Sequence, residues 1–204
     1  RDHSAGLIKQ RFKKEKVSIW ETSPQGNTGQ SIILSGLKND RVILTYKGSN
    51  DLLRTSDIPW KKLSTKWIYL GTLMKRSWEA EIAVAKFAKK NNIQLMFNPS
   101  IYLAKKGLQA LARVLNSCSI LVLNKEEAQS MTKLNAKESV LLRKLQRHVP
   151  LVVITDGPKG AIAYDGFKFY KISAHKVKVV DSTGAGDAFA SGFLAARVHG
   201  FNIQ

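Results

Sequence analysis

The stretch Asp181-Ser182-Thr183-Gly184-Ala185-Gly186-Asp187 carries the most information about fold and function in this chain. It follows the apolar run 177–180, which only Lys178 interrupts, and it precedes a run rich in Ala, Phe and Gly over residues 188–196. This order predicts a strand, a tight turn of small residues and a buried helix. A glycine-rich turn at a helix N-terminus presents bare backbone N–H groups, which bind an anion without any cationic side chain.

The last residue of this stretch is acidic, and its position beside the anion site predicts a role in proton transfer. Asp187 falls in the first turn of the predicted helix, next to the anion-binding N–H groups. A carboxylate in that place is suited to accept a proton from a hydroxyl group that attacks the anion. The alternative is a glycine-rich strand-to-helix turn whose acidic residues have no chemical role.

The segment 181–194 resembles the C-terminal signature of the ribokinase/PfkB family of carbohydrate and nucleoside kinases. The resemblance implies a three-layer α/β fold with a mostly parallel central sheet, helices on both faces and a small β lid. It also implies that Asp187 is the catalytic base. The turn of Gly184, Ala185 and Gly186 would supply the anion hole for the transferring phosphoryl group.

The same resemblance implies sites for two kinds of cation. Asn124 and Glu127 follow a predicted strand with the spacing of the family's Asn-x-x-Glu motif. This motif implies that Asn124 contacts phosphate and that Glu127 holds Mg²⁺ through water, while a helix cap is the alternative role for Asn124. Asp181 and Thr183 match positions that the family associates with a monovalent cation, K⁺.

A second turn, over residues 155–160, resembles the family's Thr-x-Gly-x-x-Gly turn beside the nucleotide. The resemblance implies that Thr155 and Gly157 contact ATP, while Gly160 is assigned chiefly a structural role within the same cofactor site. A turn that merely contains Pro and Gly is the alternative. Polar or glycine positions thus follow several predicted strands, and the carboxyl edge of an open α/β sheet is where ligands bind.

Residues 27–50 resemble the lid that covers the acceptor in this family. The resemblance implies an acceptor contact from Asn50 and pairing of lids in a homodimer. Gly29 stands where sugar-phosphate kinases tend to have Arg, which favours an unphosphorylated acceptor, although Lys47 could restore a phosphate site. A hairpin with ordinary turn residues at its ends is the alternative.

The remaining pattern alternates strands and helices, as expected for one α/β domain spanning residues 1–204. We predict strands at 31–35, 41–46, 67–70, 93–97, 120–123, 151–155, 161–164, 167–172 and 177–180. We predict helices at 5–16, 78–90, 103–115, 126–131, 137–146 and 188–196.

The composition of the chain indicates which partners and which cellular location to expect. Thirty-three Lys and Arg against fifteen Asp and Glu give a net charge of +18, which attracts nucleotides and, nonspecifically, nucleic acid. No nucleic-acid module is recognisable, so we expect no specific nucleic-acid partner. No apolar run is long enough to span a membrane. Cys118 is the single cysteine, and the apolar residues Leu115, Ile120 and Leu121 lie near it in the sequence, which favours a buried inert thiol and fits a reducing cytoplasm.

The resemblance to this family, carried by the motifs above, implies an ATP-dependent phosphotransferase that phosphorylates a hydroxymethyl group of a sugar. A nucleoside kinase of the same family and a noncatalytic nucleotide-binding relative are the alternatives, and a basic nucleic-acid-binding protein is less favoured. The four histidines are scattered, so we predict no histidine metal site. The family's di-glycine segment and C-terminal elements are missing from the sequence, and we expect the chain to be part of a longer polypeptide.

Overall fold

The computed structural model describes residues 2–21, 26–35 and 41–203, with the side chains of Ser35 and Arg41 excepted. The chain divides into two compact units. The first comprises Arg1–Ser64 and Leu73–Ala83, and the second comprises Thr65–Thr72 and Val84–Gln204.

The first unit contains a helix and a two-stranded sheet. Helix α1 (His3–Lys14) is capped by Asp2, whose carboxylate accepts from the Ala5 N–H at 2.9 Å. Strands β1 (Gln30–Ser35) and β2 (Arg41–Tyr46) pair antiparallel. The predicted hairpin is therefore confirmed. The sequence Lys38-Asn39-Asp40 predicts the turn between its strands, and these three residues lie outside the described ones.

The second unit is built on a six-stranded sheet whose strands lie side by side in chain order. The first four are parallel and the last two antiparallel, so the expected mostly parallel sheet is confirmed. The strands are β3 (Trp67–Leu70), β4 (Gln94–Phe97), β5 (Ile120–Asn124), β6 (Leu151–Thr155), β7 (Ala161–Tyr164) and β8 (Phe169–Ile172).

Six further helices accompany the sheet within the described ranges. Helix α2 begins in the first unit and ends in the second. The helices are α2 (Arg76–Lys90), α3 (Ile101–Ala104), α4 (Gly107–Leu115), α5 (Lys125–Thr132), α6 (Glu138–Gln146) and α7 (Ala185–Val198).

The core of the second unit lies on both faces of its sheet. Ile120, Val122 and Val153 point to one face, where they form a buried cluster with Ala190 of α7. The alternate residues of β5 point the other way, since successive strand side chains face opposite sides, and α5 and α6 contact β5 and β6. The expectation of helices on both faces is thus met.

Three predicted elements differ from the structure: one is divided in two, one is not formed, and one is not buried. The helix predicted over 103–115 is two helices, α3 and α4, which are separated at residues 105–106. Gly107, where α4 begins, has φ of +81°, which lies outside the α-helical range and marks the break. The strand predicted over 177–180 is not a strand: within the described residues no strand pairs with it, and Val180 is 92% exposed. The helix predicted over 188–196 exists but is not buried, since Ala190 is the only residue of α7 among the described ones that is buried.

Two sequence predictions about burial and membranes can be compared with the structure. Cys118 is buried, and its thiol donates to the Val114 carbonyl at 3.3 Å. Within the described part of the chain, no helix combines the length and the apolar character that crossing a membrane requires.

Candidate functional site

The N-terminus of α7 is open to solvent. The helix begins at Ala185, and Gly184 precedes it in the left-handed conformation with φ of +80°. A Cβ placed on Gly184 or Gly186 would meet nothing within 4 Å, so a ligand can approach the backbone there closely. N–H groups in the first turn of a helix have no intrahelical acceptor, which leaves those of Gly186 and Asp187 suited to an anion.

One predicted anion-hole donor is already in use. The Ala185 N–H donates to the Ser182 carbonyl at 3.1 Å. This N–H would have to leave Ser182 to reach an anion. The anion hole predicted over residues 184–186 therefore relies first on the donors that follow Ala185.

The acidic residue at the start of this turn holds the turn itself. Asp181 Oδ1 accepts from both the N–H and the hydroxyl of Thr183, each at 2.8 Å. The two residues predicted to hold a monovalent cation are thus in direct contact. No group of three or more His, Cys, Asp or Glu side chains placed to hold a metal occurs in residues 2–21, 26–35 and 41–203.

Asn124 and Glu127 form a reciprocal cap at the start of α5. Asn124 Oδ1 accepts from the Glu127 N–H at 2.8 Å, and Glu127 Oε2 accepts from the Asn124 N–H at 2.8 Å. The capping role foreseen as an alternative for Asn124 is therefore present. The cap is also compatible with the role predicted for Glu127, because a carboxylate has further lone pairs besides the one that accepts the capping hydrogen bond.

The side chain of Glu127 lies near Asp187. Burial raises the pKa of the Glu127 carboxyl, and the hydrogen bond from the Asn124 N–H partly opposes that shift. The negative charges of Glu126 and Asp187 raise the pKa further. The predicted base and the predicted magnesium ligand therefore lie at one edge of the sheet, close enough for their charges to interact.

Tyr69 belongs to the same edge and was not predicted from the sequence. Its hydroxyl donates to Asn98 Oδ1 at 3.0 Å, and the Asn98 amide donates to the Val122 carbonyl at 2.8 Å. Burial raises the pKa of the Tyr69 hydroxyl, and the charge of Asp187 adds to this shift. The sequence signal that could have identified Tyr69 is its position near the carboxyl end of β3, since ligand sites form at that edge of the sheet.

The turn after β6 lies beside the start of α5. Thr155 pairs in register with Asn124 across β5 and β6, which brings the predicted nucleotide turn next to the predicted phosphate contact. The Asp156 N–H closes the turn by donating to the Gly160 carbonyl at 2.9 Å. Gly157 and Gly160 have φ of +49° and +90°, values that glycine adopts readily.

The packing around Gly160 favours a structural role. A Cβ at this position would overlap the carbonyl oxygen of Ile172 and lie 2.8 Å from the Ala174 nitrogen. A Cβ at Gly157 would meet nothing within 4 Å. Gly160 thus lets two backbone segments approach each other, whereas Gly157 leaves its surroundings open.

A cluster of charged side chains joins this turn to two helices, and the sequence did not reveal it. The Lys125 ammonium lies 2.5 Å from Glu138 Oε1 and 3.3 Å from Asp156 Oδ2. Lys159 also reaches Asp156 Oδ2 at 3.3 Å. We refer to Lys125, Glu138, Asp156 and Lys159 as the Lys125 cluster.

The predicted acceptor contact, Asn50, lies in the first unit. The two ends of the lid hairpin are held together there, because the Ser49 N–H and hydroxyl both donate to the Asn27 carbonyl at 2.9 Å. A Cβ at Gly29 would lie 2.7 Å from the Asn50 amide nitrogen and 2.7 Å from the Lys47 carbonyl oxygen. The predicted lid ends therefore meet, and position 29 has no space for a side chain.

Comparisons with known proteins identify relatives of this chain. The chain is 30% identical over 201 residues to ribokinase from Lactococcus lactis subsp. lactis, a match that covers 97% of the chain and 63% of that protein. It spans less than two thirds of that relative's length.

Solved structures show the same fold. The adenosine kinase structure from Sinorhizobium meliloti superposes with a TM-score of 0.87 at 20% identity, covering 99% of this chain and 64% of that one. The ribokinase structure from Thermotoga maritima gives 0.83 at 22% identity, with coverages of 99% and 66%. The model of the pfkB family carbohydrate kinases matches residues 1–204. The chain belongs to the pfkB family of carbohydrate kinases.

Proposed function

We propose that the intact protein is an ATP-dependent kinase that phosphorylates a hydroxymethyl group of a sugar. The observation that carries this proposal is the position of Asp187. It is exposed in the first turn of α7, follows two glycines with open surroundings, and lies near Glu127. An anion site beside a carboxylate is what transfer of a phosphoryl group to a hydroxyl requires.

The residues present fit magnesium and ATP. Space beside Gly184 and Gly186 lets phosphate oxygens reach backbone N–H groups. Asn124 and Glu127 offer the hard oxygen atoms that Mg²⁺ takes directly or through water. Thr155 and Gly157 lie at the adjoining strand end, where they would contact the nucleotide.

In this mechanism the chain positions the reactants and moves one proton. Asp187 accepts the proton of the acceptor hydroxyl as its oxygen attacks phosphorus. The N–H groups of Gly186 and Asp187, joined by that of Ala185 once it leaves Ser182, stabilise the charge on the transferring group. When bound, ATP would supply the phosphoryl group and depart as ADP as the bond to its γ-phosphorus breaks, and Mg²⁺ would neutralise the charge of the phosphates.

The lid of residues 27–50 would cover the acceptor and exclude water, with Asn50 contacting a hydroxyl. Gly29 stands where sugar-phosphate kinases of this family tend to have Arg, which supports an unphosphorylated acceptor. The hairpin exposes apolar side chains on both faces, including Ile32 and Ile33, which supports a homodimer through the lid. Sedimentation of wild type and of Ile32→Lys tests this, and a wild-type monomer would refute it.

We further propose K⁺ at Asp181 and Thr183, supported by the turn that these two residues form. Activity that is the same in K⁺ and Li⁺ salts would refute this site. A cytoplasmic location is also proposed, supported by the single buried thiol of Cys118.

A nucleoside acceptor is the second candidate, supported by the likeness to the S. meliloti adenosine kinase structure. The intact protein should be assayed with ribose, fructose, 2-keto-3-deoxygluconate, adenosine and cytidine. A preference for a nucleoside would replace the sugar proposal. Binding of magnesium and ATP without turnover of any acceptor would indicate a noncatalytic relative.

Replacement of Asp187 tests the reaction directly. In Asp187→Asn we expect kcat to fall about 10²–10⁴-fold, the usual contribution of a general base, while ATP affinity stays close to that of wild type. ATP affinity by calorimetry and phosphorylation rate should be measured on the same samples. A variant that phosphorylates its acceptor at nearly the wild-type rate would refute the role of Asp187.

A further inference from the structure

The Lys125 cluster lies immediately beside the proposed nucleotide site. Lys125 is the first residue of α5 and stands between Asn124 and Glu127. Asp156 follows Thr155 directly, and Glu138 is the first residue of α6. One ammonium group therefore joins the start of α5, the start of α6 and the turn after β6.

The contacts of Lys125 are more protected than those of Lys159. The side chain of Lys125 is 30% exposed and that of Asp156 is 27% exposed, whereas the side chain of Lys159 is 73% exposed. Ion pairs gain strength as solvent is removed from them, and exposed pairs contribute little. Lys125 is therefore the member expected to hold the turn, although both lysines contact the same oxygen.

The two carboxylates of the cluster contact the same ammonium group. The hydrogen bond from Lys125 lowers the pKa of Glu138, while the neighbouring carboxylate of Asp156 opposes this shift. Burial would raise the pKa of Asp156, but the hydrogen bonds from Lys159 and Lys125 bring it below its ordinary value. Without Lys125, two neighbouring carboxylates would repel each other, and the exposed turn would move more readily than α6.

The ammonium of Lys125 is already engaged with two carboxylates, so a phosphate would have to displace one of them. A supporting role therefore fits these contacts better than direct binding of phosphate. The backbone pairing of Asn124 with Thr155 fixes the strand ends but does not reach residues 156–160. The ion pair between Lys125 and Asp156 connects the start of α5 to the turn beyond the strand ends.

We propose that Lys125 is a positioning residue that holds the 155–160 turn in place relative to Asn124 and Glu127 for binding of ATP. This inference rests on the proposed kinase function. It predicts that loss of Lys125 weakens binding of ATP while leaving binding of the acceptor unchanged. It also predicts that removing the repulsion between Glu138 and Asp156 restores part of the loss.

The test uses four forms of the intact protein: wild type, Lys125→Met, Lys159→Met and Lys125→Met/Glu138→Gln. Affinity for magnesium and ATP is measured by calorimetry, and amide hydrogen exchange in residues 156–160 is followed without nucleotide. We expect Lys125→Met to bind ATP about tenfold more weakly and to exchange faster in the turn. Lys159→Met should stay within about twofold of wild type, as expected for an exposed pair.

The double variant separates positioning from a general loss of structure. We expect Lys125→Met/Glu138→Gln to recover more than half of the lost affinity, although it lacks one more native side chain. ATP affinity within twofold of wild type in Lys125→Met would overturn the proposal. Equal losses in Lys125→Met and Lys159→Met would overturn it as well.

The measured ATP affinities also distinguish failure of this proposal from failure of the proposed kinase reaction. If wild type binds ATP but phosphorylates no acceptor, the proposed reaction fails while the affinities still decide the role of Lys125. If wild type does not bind ATP, both proposals fail.

Discussion

Replacement of Gly160 by Ala should destabilise the second unit far more than the same replacement at Gly157. Gly160 has φ of +90° and ψ of −142°, a region that residues with a Cβ avoid. The conformational strain costs about 1–3 kcal/mol. The new methyl group would also overlap the Ile172 carbonyl oxygen and crowd the Ala174 nitrogen, and displacing packed backbone costs about 1–3 kcal/mol more.

The matched variant Gly157→Ala isolates the conformational part. Gly157 has φ of +49°, and a Cβ there would meet nothing within 4 Å. Its cost is therefore limited to the left-handed conformation, about 1–2 kcal/mol. The difference in unfolding free energy between the two variants therefore combines the crowding against residues 172–174 with the difference between the two backbone conformations.

Urea denaturation of the intact protein, followed by circular dichroism, gives both free energies of unfolding. We expect Gly160→Ala to lose about 2–6 kcal/mol and Gly157→Ala about 1–2 kcal/mol. Equal losses would refute the reasoning, because they would show that the contact with the Ile172 carbonyl carries no weight.

Two further predictions concern charge. Glu127→Gln keeps an oxygen for the capping hydrogen bond, so stability should change by less than about 1 kcal/mol, while the Mg²⁺ concentration for half-maximal activity should rise about tenfold. Glu126→Gln is the control, and an equal rise there would contradict the assignment. Asp2 accepts from the Thr28 N–H at 2.6 Å, then from the Ala5 N–H, and these bonds lower its pKa from 3.8 to about 2. Its charge therefore stabilises the fold above pH 4, and this contribution disappears as pH falls toward 2. Denaturation midpoints of wild type should exceed those of Asp2→Asn at pH 7 and converge with them near pH 2; a gap that persists at pH 2 would count against this.

Local patterns predicted the sheet well because its strands are short apolar runs between turn residues. The strand over 177–180 was mispredicted for a physical reason: an apolar alternation becomes a strand only where a neighbour supplies backbone hydrogen bonds. The helix over 103–115 was predicted as continuous because a single glycine does not reveal its φ in the sequence. The burial of α7 depended on tertiary packing, which composition alone does not determine.

The parts of the candidate site that lie at the ends of neighbouring parallel strands could be predicted from the sequence. Parallel neighbouring strands place their carboxyl ends at one edge, which is why Asn124 and Thr155 lie side by side. The contacts of Lys125 were not predictable, because one lysine among many basic residues carries no local signal for a partner 31 positions away. The influence of Asp187 on the pKa of Tyr69 likewise depends on how β3 and the start of α7 are arranged in three dimensions.

The reciprocal cap between Asn124 and Glu127 affects how inactive members of this family can be identified. A descendant that had lost catalysis would still need a cap on α5, so selection for folding alone would preserve both residues. Their retention in a related sequence is therefore poor evidence of an active enzyme. Asp187, exposed in the first turn of α7, has only its proposed role as the base to preserve it, so on that proposal it is the position to inspect when pseudokinases are sought in genomes.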